Sequence, residues 1–329
     1  MANIEHSGAA GSDSRQAICK VAIVGAGYMA REHIRAFQDI PGVEIVGIHS
    51  RTRSKAQALA TEFNVRNVCD TISELYENTK ADLVVVTVSS LATNEICSAC
   101  FEYPWTALIE KPAGYDVADA EAIAANALKK GRSAYVALNR RHYGATRTVI
   151  SDLAGLSGPR FIKVQDQQSQ ALALQLGHPQ LIVDNWFYAC SIHVIDYFLL
   201  LGRGKITGVT HVIRWDPQQP RYVVAKISFD SGDVGIYEAI WDGPGPWAVS
   251  VNTPEKRWEM RPLEKAFYQL AGKRVLEPIA DDIQDIQFKA GLRRQAELSV
   301  RAALGQPQGE LPTLQDAMAS MRLTQAIYS

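Results

Sequence analysis

A glycine-rich turn between a predicted strand and a predicted helix constrains this chain more than any other feature. Residues 21–24 are consecutive apolar residues, which is typical of a strand buried on both faces. The turn that follows, residues 25–30, reads G-A-G-Y-M-A and fits the pattern G-x-G-x-x-G/A. A helical pattern begins directly after it, with Ile34 and Phe37 on one face. Strand, turn and helix in this order predict a dinucleotide-binding unit.

The small residues of the turn have separate physical roles. Gly25 permits the tight turn, Gly27 lacks a side chain that would keep a pyrophosphate from the backbone, and Ala30 lets the helix pack closely on the strand. The free N–H groups and the dipole of the helix start favour an anion. We therefore expect Tyr28 and Met29 to contact the cofactor as well. The alternative is an ordinary strand-to-helix turn without a ligand.

The residues after the second predicted strand (residues 43–48) bear on the choice of cofactor. An NAD-preferring site places Asp or Glu about twenty residues beyond the glycine turn, where it binds the ribose 2′-hydroxyl. Ser50 and Arg51 occupy that position here. Serine can donate to a 2′-phosphate, and arginine can pair with it and stack on the adenine. The sequence thus predicts NADP(H), with NAD possible; the alternative is a solvated loop arginine.

Strands and helices alternate through the first part of the chain. Further elements are predicted at residues 54–63, 72–78, 83–88, 94–101, 106–109, 116–130 and 133–138. Such alternation is typical of an α/β fold with a parallel, doubly wound sheet. Residues 18–141 are therefore predicted to form a dinucleotide-binding domain. Residues 1–17 are rich in small and polar types, and we expect a disordered tail there.

From about His142 onwards the pattern changes. A long strand with alternating residues (161–168) precedes a glutamine-rich loop and a helix at residues 185–201. Later strands are predicted at residues 206–215, 222–229, 234–241 and 247–251, and helices at residues 283–304 and 313–328. Turn residues between the strands indicate an antiparallel arrangement. Residues 142–329 are therefore predicted to form an α+β domain with an open, mainly antiparallel sheet that binds the substrate and mediates oligomerisation.

Composition excludes several classes of function. The formal net charge is −1 with 21% charged residues, which gives no electrostatic basis for binding nucleic acid or an anionic membrane surface. The longest apolar runs, residues 83–88 and 197–201, are far too short to span a bilayer. Five scattered cysteines suit a reducing cytoplasm, and Cys97 and Cys100 are interpreted as core residues of a helix. We expect a cytoplasmic protein without a metal site.

A second group of polar residues lies where predicted strands end. Ser89 follows the strand at residues 83–88, and Glu110, Lys111 and Pro112 follow the strand at residues 106–109. Open α/β sheets bind ligands at the carboxyl ends of their strands, so these residues are predicted to contact the cofactor. A lysine beside the positively charged nicotinamide would have a lowered pKa and could transfer a proton. A surface charge pair before a proline is the alternative.

Several separated motifs together resemble the glucose–fructose oxidoreductase and inositol dehydrogenase family. They are His33 after the glycine turn, E-K-P at residues 110–112, N-R-R at residues 139–141, S-I-H-V-I-D at residues 191–196, and the closing segment at residues 312–329. The resemblance covers about residues 18 to 329. It implies a Rossmann domain whose nicotinamide faces the open sheet of the second domain. It also implies that Lys111 contacts the cofactor and the substrate hydroxyl, and that His193 is the acid/base.

Two positions depart from that family. It usually has an aspartate four residues before the histidine, where it orients the ring; Ala189 occupies that position here. The loop after the fourth strand lacks the usual histidine, and Thr93 stands in its place. Asp184, Asn185 or Tyr188 could substitute for the missing aspartate; the alternatives are a helix cap or an ordinary packed residue.

The residues at the domain junction allow two interpretations. Asn139, Arg140 and Arg141 could hold a substrate carboxylate or phosphate, or they could brace the two domains. Trp241 and Trp247 border a Pro/Gly-rich turn, where sheet packing or an oligomer contact is favoured over a platform for a sugar.

The function predicted first is an NADP(H)-dependent oxidoreductase acting on a sugar, a sugar derivative or a cyclitol, with Lys111 and His193 handling the proton. The substitution at Ala189 motivates a second hypothesis, a ligand or redox sensor that keeps the cofactor site without catalysis. A third, from the resemblance alone, is glycoside cleavage through a transient oxidation. We expect a homodimer or homotetramer formed through the C-terminal sheet.

Overall fold

The structure is a computed structural model that describes residues 19–329, so the predicted tail at residues 1–17 lies outside the described residues. The strands are β1 (Cys19–Val24), β2 (Val43–His49), β3 (Asn67–Cys69), β4 (Leu83–Val86), β5 (Thr106–Ile109), β6 (Ala134–Val136), β7 (Phe161–Gln168), β8 (Ile206–Ile213), β9 (Tyr222–Phe229), β10 (Val234–Trp241), β11 (Ala248–Asn252), β12 (Lys256–Met260), β13 (Ala266–Leu270) and β14 (Glu277–Pro278). The α-helices are α1 (Tyr28–Gln38), α2 (Arg53–Phe63), α3 (Ile72–Thr79), α4 (Thr93–Cys100), α5 (Val117–Lys129), α6 (Gly144–Leu153), α7 (Gln170–Gln175), α8 (Gln180–Asp184), α9 (Ile192–Ile195), α10 (Tyr197–Leu201), α11 (Ile283–Gln287), α12 (Leu292–Ala303) and α13 (Leu314–Tyr328). None of the helices in this part of the chain combines the length and the apolar character needed to cross a membrane.

Strands β1 to β6 form a parallel sheet in the order β3-β2-β1-β4-β5-β6. Apolar runs in β1 and β4 are buried, because helices cover both faces of the sheet. The order reverses between β1 and β4, which leaves a crevice beyond the carboxyl ends of these strands. The predicted doubly wound fold is confirmed. β3 is not predicted from the sequence, because its residues are too few to show a pattern.

Strands β7 to β14 form a mixed, eight-stranded sheet in the order β14-β13-β12-β11-β7-β10-β9-β8. β7 pairs in parallel with β10, and the other neighbouring pairs are antiparallel. Alternate residues of the inner face, such as Tyr237 and Trp241, are buried against α6, α9 and α10. The prediction of an open, mainly antiparallel sheet is confirmed. Strands β12 to β14 are not predicted, since charged residues such as Arg257 and Glu259 are depleted in strands generally.

Three helical segments differ from the prediction. The glutamine-rich loop after β7 contains α7 and α8, and Ser169 caps α7 by accepting from the Leu172 N–H. The single helix expected at residues 185–201 begins as a π-helix over Phe187–Ser191 and continues as α9 and α10. The helix expected at residues 283–304 is divided into α11 and α12. Gly291, with φ of 74°, separates them in a conformation that side chains disfavour.

The last helix, α13, joins the cores of the two sheets. The predicted capping box at its start is present, with Thr313 and Asp316 each binding the other's backbone N–H. Leu314 and Met321 lie in a core of the parallel sheet, whereas Ile327 lies in the core of the mixed sheet. The helix therefore packs against both sheets and holds them together.

A buried ion pair ties α13 to both halves of the chain. Arg141, in the 3₁₀ turn that follows β6 (Asn139–His142), donates to both carboxylate oxygens of Asp196 at 2.8 and 2.7 Å. Asp196, between α9 and α10, also accepts from the Ser320 hydroxyl of α13 at 2.5 Å. The Asp196 side chain is only 4% exposed. Of the two interpretations of the junction, substrate binding or bracing of the two domains, the contacts of Arg141 therefore support bracing.

We expect Asp196→Asn to lower the free energy of unfolding by about 3–5 kcal/mol, because it leaves the Arg141 charge buried beside a neutral amide. The matched control is Glu121→Gln, which breaks the exposed pair of Glu121 with Arg322 and should cost no more than about 1 kcal/mol. Urea unfolding followed by circular dichroism measures both. Equal losses in the two variants would contradict the role assigned to this pair.

Candidate active site

The glycine turn has the geometry of an anion cradle. Gly25 has φ of 111°, and a Cβ on it would lie 2.5 Å from the Thr87 carbonyl oxygen, so the turn requires glycine at this position. Gly27 is the N-cap of α1 in extended conformation, and a Cβ there would meet no atom within 4 Å. It supplies no side-chain acceptor to the first turn of α1. Open space in front of free N–H groups fits the pyrophosphate of a dinucleotide.

The other predicted residues of the turn divide between solvent and core. Tyr28 is 63% exposed, and the Lys289 ammonium lies 5.6 Å from its ring centroid. Ala30 is buried and Met29 packs beside it against the core of the parallel sheet, which lets α1 approach β1 closely. Tyr28 and Lys289 therefore border the open side of the turn.

The loop after β2 presents a free cation. Arg51 is exposed and has no carboxylate partner among residues 19–329, whereas Arg53 forms an ion pair with Asp70. The Ser50 hydroxyl accepts from the Thr52 N–H at 3.3 Å and keeps its own proton for another acceptor. Both side chains lie at the carboxyl end of the strand next to β1, where a 2′-phosphate would be held.

The E-K-P motif connects to the glycine-turn helix. The ring Nε2 of His33, a fully buried residue of α1, lies 2.8 Å from Glu110 Oε1. Glu110 Oε2 accepts from the Lys111 backbone N–H at 3.2 Å. Because both carboxylate oxygens are held, the backbone after β5 is fixed against α1. His33 is thus a positioning residue; the motifs of the family resemblance include it without giving it a role.

The Lys111 side chain reaches across to the second half of the chain. Its ammonium donates to the carbonyl oxygen of Ala189 at 2.9 Å, within the π-helix that precedes His193. π-Helical turns are rare in proteins, and those that occur are frequently found at functional sites. The residue that replaces the usual aspartate therefore contributes its backbone carbonyl to the site.

His193 lies in a positively charged environment. Burial lowers its pKa well below 6.5, and the nearby charges of Arg140, Lys111 and Lys289 lower it further. The ring is therefore neutral at pH 7, and its Nδ1 has no partner among the described residues. Its centroid is 6.4 Å from that of Trp247. The structure thus brings together the two predicted catalytic side chains, Lys111 and His193.

The remaining predicted site residues have other contacts. Asn139 is buried and donates to the Ala290 carbonyl at 3.0 Å, so it braces the loop before α12. Asp184 accepts from the Gln180 amide, and Asn185 donates to the Leu181 carbonyl. Tyr188 packs into a core of the parallel sheet, where burial and then Asp116 raise its pKa to about 12. None of these contacts orients the His193 ring.

Ser89 and Thr93 have separate positions near the end of β4. Ser89 is exposed beyond that strand, and its carbonyl accepts from the Thr93 hydroxyl at 3.2 Å. Thr93 is buried at the start of α4, so the residue in place of the usual histidine makes a local backbone contact. Cys97 and Cys100, interpreted as core residues, are buried in the same helix.

Trp247 lies beside the candidate site, whereas the sequence pattern favours sheet packing or an oligomer contact for it. The Arg140 guanidinium carbon lies 4.1 Å from its ring centroid, and its indole N–H donates to Asp166 Oδ1 at 2.5 Å. Asp166, buried in β7, also accepts from the Tyr237 hydroxyl and from Gln168. Trp241, by contrast, is buried in the sheet core as predicted. The sequence does not indicate this position of Trp247. The residue follows a Pro/Gly-rich turn after β10, and the path of that turn cannot be predicted from the residues.

The chain is similar to known oxidoreductases. Residues 19–138 match the model of the family described as "Oxidoreductase family, NAD-binding Rossmann fold" (GFO_IDH_MocA). The 4-carboxy-2-hydroxymuconate-6-semialdehyde dehydrogenase of Sphingobium sp. (strain SYK-6) is 24% identical over 236 residues, which are 69% of this chain and 73% of that protein.

Solved structures share the fold over nearly the whole chain. A dehydrogenase from Chromobacterium violaceum has a TM-score of 0.80 at 15% identity, covering 95% of this chain and 94% of that one. Levoglucosan dehydrogenase, in complex with NADH and levoglucosan, has a TM-score of 0.78 at 16% identity, covering 94% and 96%. At these sequence identities the similarity establishes the fold alone. The candidate site rests on the contacts of this chain's own residues.

We expect two glycine substitutions to affect different properties, one the stability of the protein and the other its affinity for the dinucleotide. Gly25→Ala should lower the free energy of unfolding by about 1–3 kcal/mol, because alanine is strained at this φ and meets Thr87. Gly27→Ala should change it by less than about 1 kcal/mol. It should nevertheless weaken the binding of NADH and of NADPH about tenfold or more, since the methyl group projects into the cradle that would hold the pyrophosphate of either. Thermal unfolding measures the stability and fluorescence titration with each reduced nucleotide measures the affinity. A Gly27→Ala protein that binds the nucleotides as tightly as the wild type would contradict the assignment.

Proposed function

We propose that this chain, which belongs to the GFO/IDH/MocA family of oxidoreductases, transfers a hydride between NAD(P) and a hydroxyl or keto carbon of a sugar, a sugar derivative or a cyclitol. The observation that supports this most is the Lys111–Ala189 bond, because it brings the cofactor half and the His193 half together. Levoglucosan dehydrogenase, which shares the fold, is named for a sugar substrate. The same family includes NAD-binding proteins by its description, which agrees with the open glycine cradle.

The chain's own residues supply the proton chemistry. Bound NAD(P) would accept or donate the hydride at its nicotinamide ring. The Lys111 ammonium donates a hydrogen bond to the substrate oxygen and polarises it, with the Ala189 carbonyl holding the side chain in place. His193, neutral at pH 7, accepts the hydroxyl proton in the oxidative direction and returns it in the reductive one. Within residues 19–329 no carboxylate bonds the ring, and Trp247 lies edge-on to it with centroids 6.4 Å apart.

The preferred cofactor in this proposal is NADP(H). The exposed, unpaired Arg51 supports it, and Ser50 adds a hydroxyl beside it. NAD is the alternative, since levoglucosan dehydrogenase was solved with NADH. The expected homodimer or homotetramer through the mixed sheet and the cytoplasmic location stay predictions.

We expect Lys111→Met and His193→Gln each to lower kcat by about a hundredfold or more, because each removes a group that moves or stabilises the proton. A panel of levoglucosan, myo-inositol and aldoses, followed by nicotinamide absorbance, measures this. The acid limb of kcat/KM should lie below pH 6.5, because protonation through the depressed pKa removes the base, and it should vanish in His193→Gln.

Lys129→Met, at an exposed position of α5, is the control and should keep wild-type kcat. Turnover that survives both substitutions would contradict these roles. Cofactor binding without any turnover in the wild-type protein would favour the sensor hypothesis instead.

The cofactor preference has its own test in two neighbouring arginines. Arg51→Ala should weaken NADPH binding about tenfold or more and leave NADH binding within about twofold, because only NADPH carries the 2′-phosphate. Arg53→Ala is the matched control, since Arg53 is already paired with Asp70. Calorimetric titration with both nucleotides measures the four affinities. An equal loss for NADPH and NADH in Arg51→Ala would show that Arg51 does not read the phosphate.

A further inference from the structure

Two adjacent arginines at the end of β6 have opposite environments. Arg141 is neutralised by the two-point contact with Asp196. Arg140 forms no ion pair within residues 19–329, and its Nε and Nη1 atoms are buried without an acceptor. Buried polar groups almost always have a hydrogen-bond partner, and an unpaired one is costly. The bare donors of Arg140 therefore indicate a ligand atom that the protein itself does not supply.

The contact that supports Arg140 occupies none of its N–H groups. Its guanidinium carbon lies 4.1 Å from the Trp247 ring centroid, a contact that uses the face of the guanidinium and takes none of its N–H groups. The neutral hydroxyl of Tyr143 lies within hydrogen-bonding reach of the guanidinium, and Nε and Nη1 still have no acceptor among the described residues. Trp247 is itself held by Asp166, so the platform under Arg140 is rigid. A planar, charged guanidinium held in this way, with Nε and Nη1 left without an acceptor, can donate to the oxygens of a carboxylate.

Among the described residues, the charged side chains that act on His193 are all cations. Lys111 and Lys289 lower the pKa of the same histidine as Arg140 does, and the Lys111 ammonium donates to the neutral carbonyl of Ala189. The buried carboxylate of Asp166 already accepts from Tyr237, Gln168 and Trp247. A neutral sugar could satisfy the N–H groups of Arg140, but only an anion would also offset this excess positive charge.

The phosphates of the cofactor do not fill this role. They are expected on the turn after β1, and β4 and β5 separate β1 from β6 in the sheet. At about 4.8 Å between neighbouring strands, the two strand ends lie roughly 14 Å apart. The free anion acceptor therefore belongs to the other reactant.

We propose that the substrate carries a carboxylate and that the Arg140 guanidinium, stacked on Trp247 beside Lys111 and His193, binds it. The proposal rests on the oxidoreductase function proposed above and narrows its substrate to sugar acids and related hydroxy acids. Lys111 and His193 then act on the hydroxyl or keto carbon while Arg140 fixes the far end of the molecule.

Matched pairs of acid and neutral sugar test this proposal. D-Glucuronate is compared with D-glucose, and D-galacturonate with D-galactose, by calorimetric titration into protein saturated with NADP. At least one acid should bind about tenfold or more tightly than its neutral counterpart, and Arg140→Gln should reduce that preference to within about threefold. Arg140→Lys, which keeps the charge without the fork, should keep part of it. Arg66→Gln changes an exposed arginine between α2 and β3; it is the control and should keep the full preference.

Two results would overturn the proposal: no acid binds more tightly than its neutral counterpart, or Arg140→Gln retains the full discrimination while circular dichroism shows it folded. Oxidation of a neutral sugar without preference for its acid would sustain the oxidoreductase function and reject the carboxylate. Binding of an acid through Arg140 without any nicotinamide oxidation or reduction would do the reverse.

Discussion

The hydrogen bond from the Lys111 ammonium to the Ala189 carbonyl joins the two halves of this protein where chemistry would occur. Lys111 is fixed from behind, because Glu110 binds both His33 of α1 and the Lys111 backbone. The acceptor lies in a π-helical turn directly before His193. The cofactor cradle, the lysine and the histidine are therefore held in one connected set of contacts. Such support is what a preorganised active site requires.

Electrostatics distinguishes the side chains that maintain the fold from those that remain available to a ligand. Arg141 and Asp196 form a neutral buried pair that also holds Ser320 of α13. Arg140, one residue earlier, is left with bare donors, and its charge helps to keep His193 neutral. Neighbours in the sequence thus have opposite roles, because the turn after β6 directs one side chain to α9 and α10 and the other to Trp247.

The sequence predicted correctly those features that depend on interactions between residues close together in the chain. The glycine turn, the parallel alternation of the first half and the Thr313 capping box depend on residues within a few positions of each other, and all three are present. Predictions were wrong where long-range packing decides: the helix expected at residues 185–201 contains a π-turn, and Gly291 divides the helix expected at residues 283–304. The Trp247 site position was missed for the same reason, since its partner Arg140 is distant in the chain.

The sequence by itself determined the class of fold, the dinucleotide cradle and the candidate pair Lys111 and His193, because apolar periodicity, glycine conformation and separated motifs are written in short segments. Only the tertiary structure decided which of two adjacent arginines lacks an ion-pair partner among the described residues, which tryptophan borders the site, and that the Ala189 carbonyl accepts from Lys111. These contacts join residues that are distant in the chain and come together only when both sheets are folded. Burial then makes an unpaired charge or hydrogen-bond donor costly, so the energetic consequence of each contact depends on the folded structure.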